Sequence, residues 1–280
     1  MIKNYPSISL GTAFFKELDY SLFVSNALEA GYTHFDLASR YLNEKKIGKA
    51  LKDNKVDRNS LIITEKIWPC DYKENRFFKA YEEMLNRVGT TYFDIVLLHK
   101  PVKDYLGAYQ RLISLREKGL VKHIGVSNFS KKQIEQIYQK YHEYPEINQI
   151  ETNIYYYDLE TIEYCKEKGI IVEGYSPILN AKSREEKIIL DLADKYQKEP
   201  TQIILRFIYQ LGVIPVAKSS SLKHLRSNND IWNFNISEED MLLIKKLRKK
   251  DFRPLKKCLD FFGDRMNFHP EKEKMQLHHH

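Results

Sequence analysis

Four side chains stand where an unused polar group would be costly. Asp36, Lys66 and His99 each lie within or directly after a β-branched apolar run, in THFD, ITEK and IVLLH, and Tyr41 follows Asp36 by one short segment. A carboxylate or an ammonium in such a run is unfavourable unless it is paired. The four types together can hold and deliver a proton. A tyrosine has an ordinary pKa of about 10, so it is a poor acid at neutral pH. A nearby ammonium stabilises the phenolate and lowers that value, and a carboxylate keeps the ammonium charged and oriented. A neighbouring imidazole can hydrogen-bond an oxygen and fix its position. Such a set protonates an oxygen as it gains negative charge, which is what carbonyl reduction by hydride transfer requires. Taken singly, Asp36 and Lys66 read as an ion pair closing a barrel, and His99 as a satisfied core imidazole. Their convergence favours the functional reading.

The elements that must bring these residues together are short apolar runs alternating with amphipathic stretches. Eight runs read as strands: 7–15, 33–38, 61–67, 93–99, 123–128, 147–153, 170–175 and 213–217. Several are continuously apolar, as strands buried on both faces of a parallel sheet are. Helical spacing of apolar residues covers 18–30, 44–51, 75–88, 105–118, 131–141 and 159–168. Gly89, Gly119 and Gly169 follow three of these stretches, where a left-handed helix end is expected. Two more helical patterns, 185–196 and 202–211, precede the last run. Eight βα units predict an α/β fold, a (β/α)8 TIM barrel, in a single domain over 1–277 with extra helices near the C-terminus. An open doubly wound sheet is the alternative. In a barrel the strand C-termini meet at one mouth. Besides the four residues above, those ends carry Trp68, Ser127 and Asn128, Gln149 and Glu151, Tyr175-Ser176-Pro177, and Lys218-Ser219.

Other chemistries are missing from the 280 residues. No GxGxxG, GxxxxGK[ST], HExxH, GxSxG or cysteine–histidine zinc spacing occurs, so no metal site is expected. The formal net charge is +7, from 45 basic and 38 acidic residues. The densest cluster, 245–250, has no interleaved aromatic residue and reads as a solvated helix face, so no nucleic-acid partner is expected. No apolar run approaches the roughly 20 residues of a membrane span. No leader segment opens the chain and no CxxC pair occurs, which predicts a reducing, cytoplasmic setting. The closing His278-His279-His280 reads as a tag remnant.

The segments LGT (10–12), GYTHFDLASRYLNEKKIGKAL (31–51), ITEKIW (63–68), YFDIVLLHKP (92–101), GLVKHIGVSNFS (119–130), NQIETNIYY (148–156), YCKEKGIIVEGYSP (164–177) and PTQIILRFIYQLGVIPVAKS (200–219) are similar, in order, to those of the aldo-keto reductase superfamily. The resemblance implies a barrel that binds NADPH, with NADH possible, without a GxGxxG turn. It implies Tyr41 as proton donor, Lys66 and Asp36 as its support, and His99 as the group orienting a small-molecule carbonyl. It implies Gly11 and Thr12 beside the cofactor, Ser127, Asn128 and Gln149 on the nicotinamide carboxamide, and Tyr175 stacked on the ring. Ser176, Pro177 and Ile178 fall at the pyrophosphate, Lys218 and Ser219 at the 2′-phosphate, and Asn228 at the adenine. Trp68 is a pocket wall. His224 stands where the family commonly has an arginine on the 2′-phosphate, and Ala13 where it usually has an aromatic residue. The tail 251–277, which normally helps set substrate choice, matches poorly. The expected protein is a monomeric NADPH-dependent reductase. The alternative is a non-catalytic or slow nucleotide-sensing partner subunit of the same fold.

Overall fold

The computed structural model describes residues 5–249, apart from 14, 16 and 17. The expectations for the tail 251–277 and for His278–His280 lie outside the described residues.

Eight parallel strands close on themselves in sequence order. They are β1 (Ser9–Gly11), β2 (His34–Asp36), β3 (Ile62–Ile67), β4 (Phe93–Leu98), β5 (Val121–Ser127), β6 (Ile147–Glu151), β7 (Ile171–Tyr175) and β8 (Ile214–Ala217). Around them run α1 (Tyr20–Glu29), α2 (Glu44–Asp53), α3 (Glu74–Val88), α4 (Tyr105–Glu117), α5 (Lys131–Tyr141), α6 (Leu159–Glu167), α7 (Ala181–Glu185), α8 (Lys187–Tyr196), α9 (Pro200–Gln210), α10 (Leu222–Asn229) and α11 (Glu238–Lys245). The expected (β/α)8 barrel is therefore the fold, and the open sheet is ruled out by pairing of Leu10 with Ala217 across β1 and β8.

The period-two alternation of strands divides the apolar residues between two cores. Phe35, Ile63, Ile67, Val96, Leu98, Ile124, Val126, Ile150 and Val172 face the helices and join the large outer core. Ile95, Leu97 and Ile147 face inward, where Tyr5, Ile62 and Ile171 pack on them. Polar residues fill many of the other inward positions: Ser9, His34, Asp36, Thr64, Lys66, Gln149 and Glu173, all buried. The barrel is thus apolar at the end near Tyr5 and increasingly polar toward its mouth.

Local signals explain the helix limits. Asp19 caps α1, its carboxylate accepting from Leu22 N at 3.0 Å. Capping boxes open α5 (Ser130 with Gln133) and α9 (Glu199 with Gln202). Gly89 ends α3 in the left-handed region at φ 74°. Gly48 lets α2 lie on the end of α3: a Cβ there would sit 2.0 Å from the Val88 carbonyl oxygen.

Some limits differ from expectation. The first strand pairs only over Ser9–Gly11, because Ala13 already turns the chain away. The helix expected over 185–196 is α8, which starts two residues later, after Glu186 at ψ 127°; the short α7 before it was not expected. No helix among the described residues is long and apolar enough to cross a membrane.

Candidate active site

Each polar group at the barrel mouth is placed by a short, locally explained segment. After β2 the chain makes a single 3-10 turn, Ser39–Tyr41, ended by Leu42 at φ 59°. Ser39 Oγ donates to the Lys66 carbonyl at 3.2 Å and Asn43 Nδ2 to the Thr12 carbonyl at 2.7 Å. These bonds pin the Tyr41 turn to β3 and to the end of β1. Thr12 itself is fully buried and donates its hydroxyl to the Asp36 carbonyl at 2.8 Å.

Lys66 is fully buried, and its Nζ donates to both Asp36 carboxylate oxygens at 2.7 Å. It also donates to the Leu37 carbonyl at 2.9 Å and to Tyr41 OH at 3.3 Å. Burial is the largest single effect on the Lys66 ammonium and lowers its pKa, but the Asp36 charge and hydrogen bond, with Tyr41 and Glu65, together outweigh it and hold the group charged. Burial raises the Asp36 carboxyl, opposed by Lys66 and by the Gln149 amide. Tyr41 is pushed up to about 12, chiefly by burial. The Lys66 charge acts on it in the expected downward direction but is the smaller effect. Tyr41 is therefore a phenol at neutral pH and carries a proton.

His99 follows β4 and extends its ladder, its N–H donating to the Ile67 carbonyl at 3.1 Å. Its ring meets Trp68 edge-on at 4.9 Å and Tyr41 at 6.2 Å. Burial and then the charges of Lys66, Lys100 and Arg40 hold its pKa well below the ordinary value, so the ring is neutral. It is not a satisfied core imidazole: Nδ1 is buried with no hydrogen-bond partner among the described residues. Trp68 is buried, with Arg40 Cζ 5.9 Å and Lys100 Nζ 5.1 Å from its ring.

The next strands supply a second group beside the first. Ser127 Oγ donates to the Gln149 carbonyl at 2.9 Å. Asn128, at φ 66°, donates from Nδ2 to the His99 carbonyl at 3.2 Å and to Ser127 Oγ at 3.1 Å. Its Oδ1 accepts from Tyr175 OH at 2.7 Å. Gln149 Nε2 donates to Asp36 Oδ1 at 2.9 Å, which joins this group to the Lys66–Tyr41 pair. Glu151 is buried and its Oε1 accepts from Asn153 at 3.4 Å.

Farther along the rim, Ser176 turns at φ 53°, Pro177 is buried, and Ile178 packs on the outer core. Exposed Lys218 donates to the Ala13 carbonyl at 2.8 Å and lies 4.6 Å from the Phe15 ring. Ser219 Oγ accepts from Ser221 N at 3.3 Å. On α10, His224 is exposed and Asn228 buried. Arg226 turns away to pair with Glu29. No cluster of three or more histidine, cysteine, aspartate or glutamate residues suited to a metal ion occurs among the described residues.

This geometry has known counterparts. The model of the aldo/keto reductase family matches residues 8–249. The chain belongs to that family. A glyoxal reductase of Bacillus subtilis is 34% identical over 81% of this chain and 83% of its own. The methylglyoxal reductase DkgA of Escherichia coli K12 is 33% identical over 86% of this chain and 89% of its own. A Bombyx mori aldo-keto reductase solved in complex with NADP superposes with a TM-score of 0.82 at 29% identity, covering 89% of this chain and 91% of that one. The family fixes the general chemistry of this aldo-keto reductase as carbonyl reduction, hence an oxidoreductase. It also accounts for the barrel without a GxGxxG turn.

Residues beyond the sequence expectation also line this interior. Glu173, His34, Ser9 and Thr64 form a buried polar layer beneath Asp36. Glu173 sits in IIVEGYSP, a charge inside an apolar run, the same signal that singled out Asp36 and Lys66. His34 sits in THFD one alternate position before Asp36, and therefore on the same inward face.

Proposed function

We propose that the chain is an NADPH-dependent reductase of small aldehydes and ketones, in which Tyr41 donates the proton that completes the alcohol. The observation that carries this is the buried chain Asp36–Lys66–Tyr41, with neutral His99 and Trp68 beside the phenol. Neither a plain ion pair nor a packing role needs a phenol within reach of the buried ammonium.

The donor set suits a nicotinamide dinucleotide. Gln149 and Asn128 offer amide groups side by side, Tyr175 presents a half-buried ring held by its hydroxyl, and Lys218 sets a cation at the end of β8. Both relatives named for glyoxal and methylglyoxal point to small carbonyl substrates. The NADP complex of the Bombyx mori relative supports the phosphorylated cofactor. When bound, the cofactor supplies a hydride to the carbonyl carbon. The protein's part is acid catalysis and orientation. His99, neutral, can donate one hydrogen bond to the carbonyl oxygen and hold it against Tyr41 OH. Lys66 stabilises the phenolate left when the proton departs, and Asp36 keeps Lys66 charged.

Tyr41→Phe keeps the ring and removes the proton. NADPH oxidation with methylglyoxal should fall by about a hundred- to ten-thousand-fold, with NADPH binding retained. Near-normal turnover would show that another group is the acid.

A further inference from the structure

We propose that Glu173 is a positioning residue for cofactor capture: it locks the side-chain amide of Gln149 so that its oxygen is the atom offered to the N–H of a bound carboxamide. The inference rests on the reading of the mouth as a nicotinamide site.

The directions of the hydrogen bonds carry the argument. Gln149 is buried, and its Nε2 lies 2.9 Å from Asp36 Oδ1 and 2.8 Å from Glu173 Oε2. Both neighbours are carboxylates, which only accept. The amide nitrogen must therefore face them, with one proton given to each, and the amide cannot turn over without setting its oxygen against an anion. No donor among the described residues reaches Gln149 Oε1.

Glu173 is itself held as a carboxylate. Tyr5 OH donates to its Oε1 at 2.9 Å and Ser9 Oγ at 2.7 Å. Because the Ser9 hydroxyl proton goes to Glu173, the 2.7 Å contact between Ser9 Oγ and His34 Nδ1 must be a donation from the imidazole. His34 Nε2 then accepts from Thr64 Oγ1 at 2.8 Å, so the ring is neutral. Three donors converge on Glu173 and none of its oxygens is asked to donate. Gln149 thus stands between two fixed anions. Asp36 alone would orient only one of its two protons, leaving the side chain free to pivot about that bond. The second anchor is what removes the pivot.

Glu173→Gln is close in shape and keeps an oxygen for Tyr5 and Ser9. While the Tyr5 and Ser9 hydroxyls keep donating to that oxygen, its own amide nitrogen faces Gln149, so donor faces donor. Held by Asp36 alone, Gln149 pivots about that bond, and its oxygen is no longer fixed where the ligand needs an acceptor. The test is equilibrium binding of NADP and of its 3-acetylpyridine analogue, whose methyl ketone lacks the carboxamide N–H, to the full-length protein. Wild type should favour NADP by about tenfold, the worth of one buried hydrogen bond. In Glu173→Gln that preference should collapse toward unity, with NADP affinity down by a similar factor. Ser9→Ala removes a bond to the same carboxylate on the side away from Gln149. It should lower the melting temperature and leave the preference intact. Equal loss of both dinucleotides in Glu173→Gln, or the same change in Ser9→Ala, would make Glu173 a packing residue and overturn the proposal. If wild type binds neither dinucleotide, the nicotinamide reading itself falls, whatever Glu173 does.

Discussion

Lys66→Met tests the buried ion pair and the acid together. Met fills most of the volume of the lysine stem but leaves Asp36, 2% exposed, without its countercharge. Removing one partner of a buried pair costs about 3–5 kcal/mol, because the other charge stays behind. At about 2–4 °C per kcal/mol for a protein this large, the melting temperature should fall by about 6–20 °C. Adding Asp36→Asn removes the stranded charge and keeps an acceptor for Gln149. The double variant should recover more than half of the lost stability and still reduce no carbonyl, since Tyr41 has no ammonium beside it. The pH dependence has a definite sign. In Lys66→Met, burial holds the Asp36 carboxyl above its unfolded value of about 4, so the folded state binds that proton more tightly. The deficit against wild type is therefore smallest below pH 4 and widens as pH rises through the raised folded value. Thermal melts at acid and neutral pH, beside a cofactor-oxidation assay, measure all of this. A double variant no more stable than Lys66→Met, or a deficit that ignores pH, would refute the stranded-charge argument. Recovered activity in the double variant would refute the role given to Lys66.

Three further outcomes follow from particular contacts. Burial lowers His34 from 6.5 to about 4, so the fold is fully stabilised above pH 6.5 and loses stability as pH falls toward 4. That difference is worth up to about 3 kcal/mol, and urea melts of His34→Asn from pH 7 to 4 should show a correspondingly flatter slope than wild type; equal slopes would exclude His34 as the source. Gly48→Ala drives a Cβ to 2.0 Å from the Val88 backbone oxygen, which cannot swing aside. It should cost about 1–3 kcal/mol and, because α2 begins just after the Tyr41 turn, lower kcat as well; a neutral substitution would mean that α2 and α3 part freely. His224→Arg should raise the preference for NADPH over NADH by about tenfold, read from the two Kd values, because a guanidinium brings five donors and a fixed charge to the phosphate. A native protein that binds NADH more tightly than NADPH would remove Lys218 and Ser219 from the phosphate-site assignment.

The barrel was legible because several of its strands contain continuous apolar runs and its helices keep a one-sided stripe. Charges inside such strands have few solutions, so Asp36 and Lys66 could be paired before any coordinates. The polar layer below them was not read, although Glu173 and His34 carry the same signal. Strands of three to five residues give too few positions to show which face is inward, and histidine, serine and threonine are unremarkable in a β-branched run. Helix α7 escaped for a similar reason: AKSRE spans five residues, too few to show a helical stripe. The effect of Lys66 on Tyr41 had the right sign but the wrong rank, because burial depends on how tightly the mouth packs. Sequence order does not reveal that.

Closure of the barrel sets apart one of its eight seams. Seven pairings join strands adjacent in the chain. Lys66 and Leu97 are typical, 97 − 66 = 31 residues apart. The eighth joins Leu10 to Ala217, 217 − 10 = 207 residues apart. Loop entropy grows only as a logarithm, so this contact is dearer than a neighbouring one by about 1.7 kcal/mol. The Gly11–Thr12 turn lies on one side of that seam and Lys218 on the other, with the Lys218 ammonium stitched to the Ala13 carbonyl. Under the proposed function, a dinucleotide gripped by both sides would bridge the first and last strands. Its binding energy would be drawn on the most distant contact in the topology, so it would resist opening of the ring as a whole more than fraying of any single βα unit.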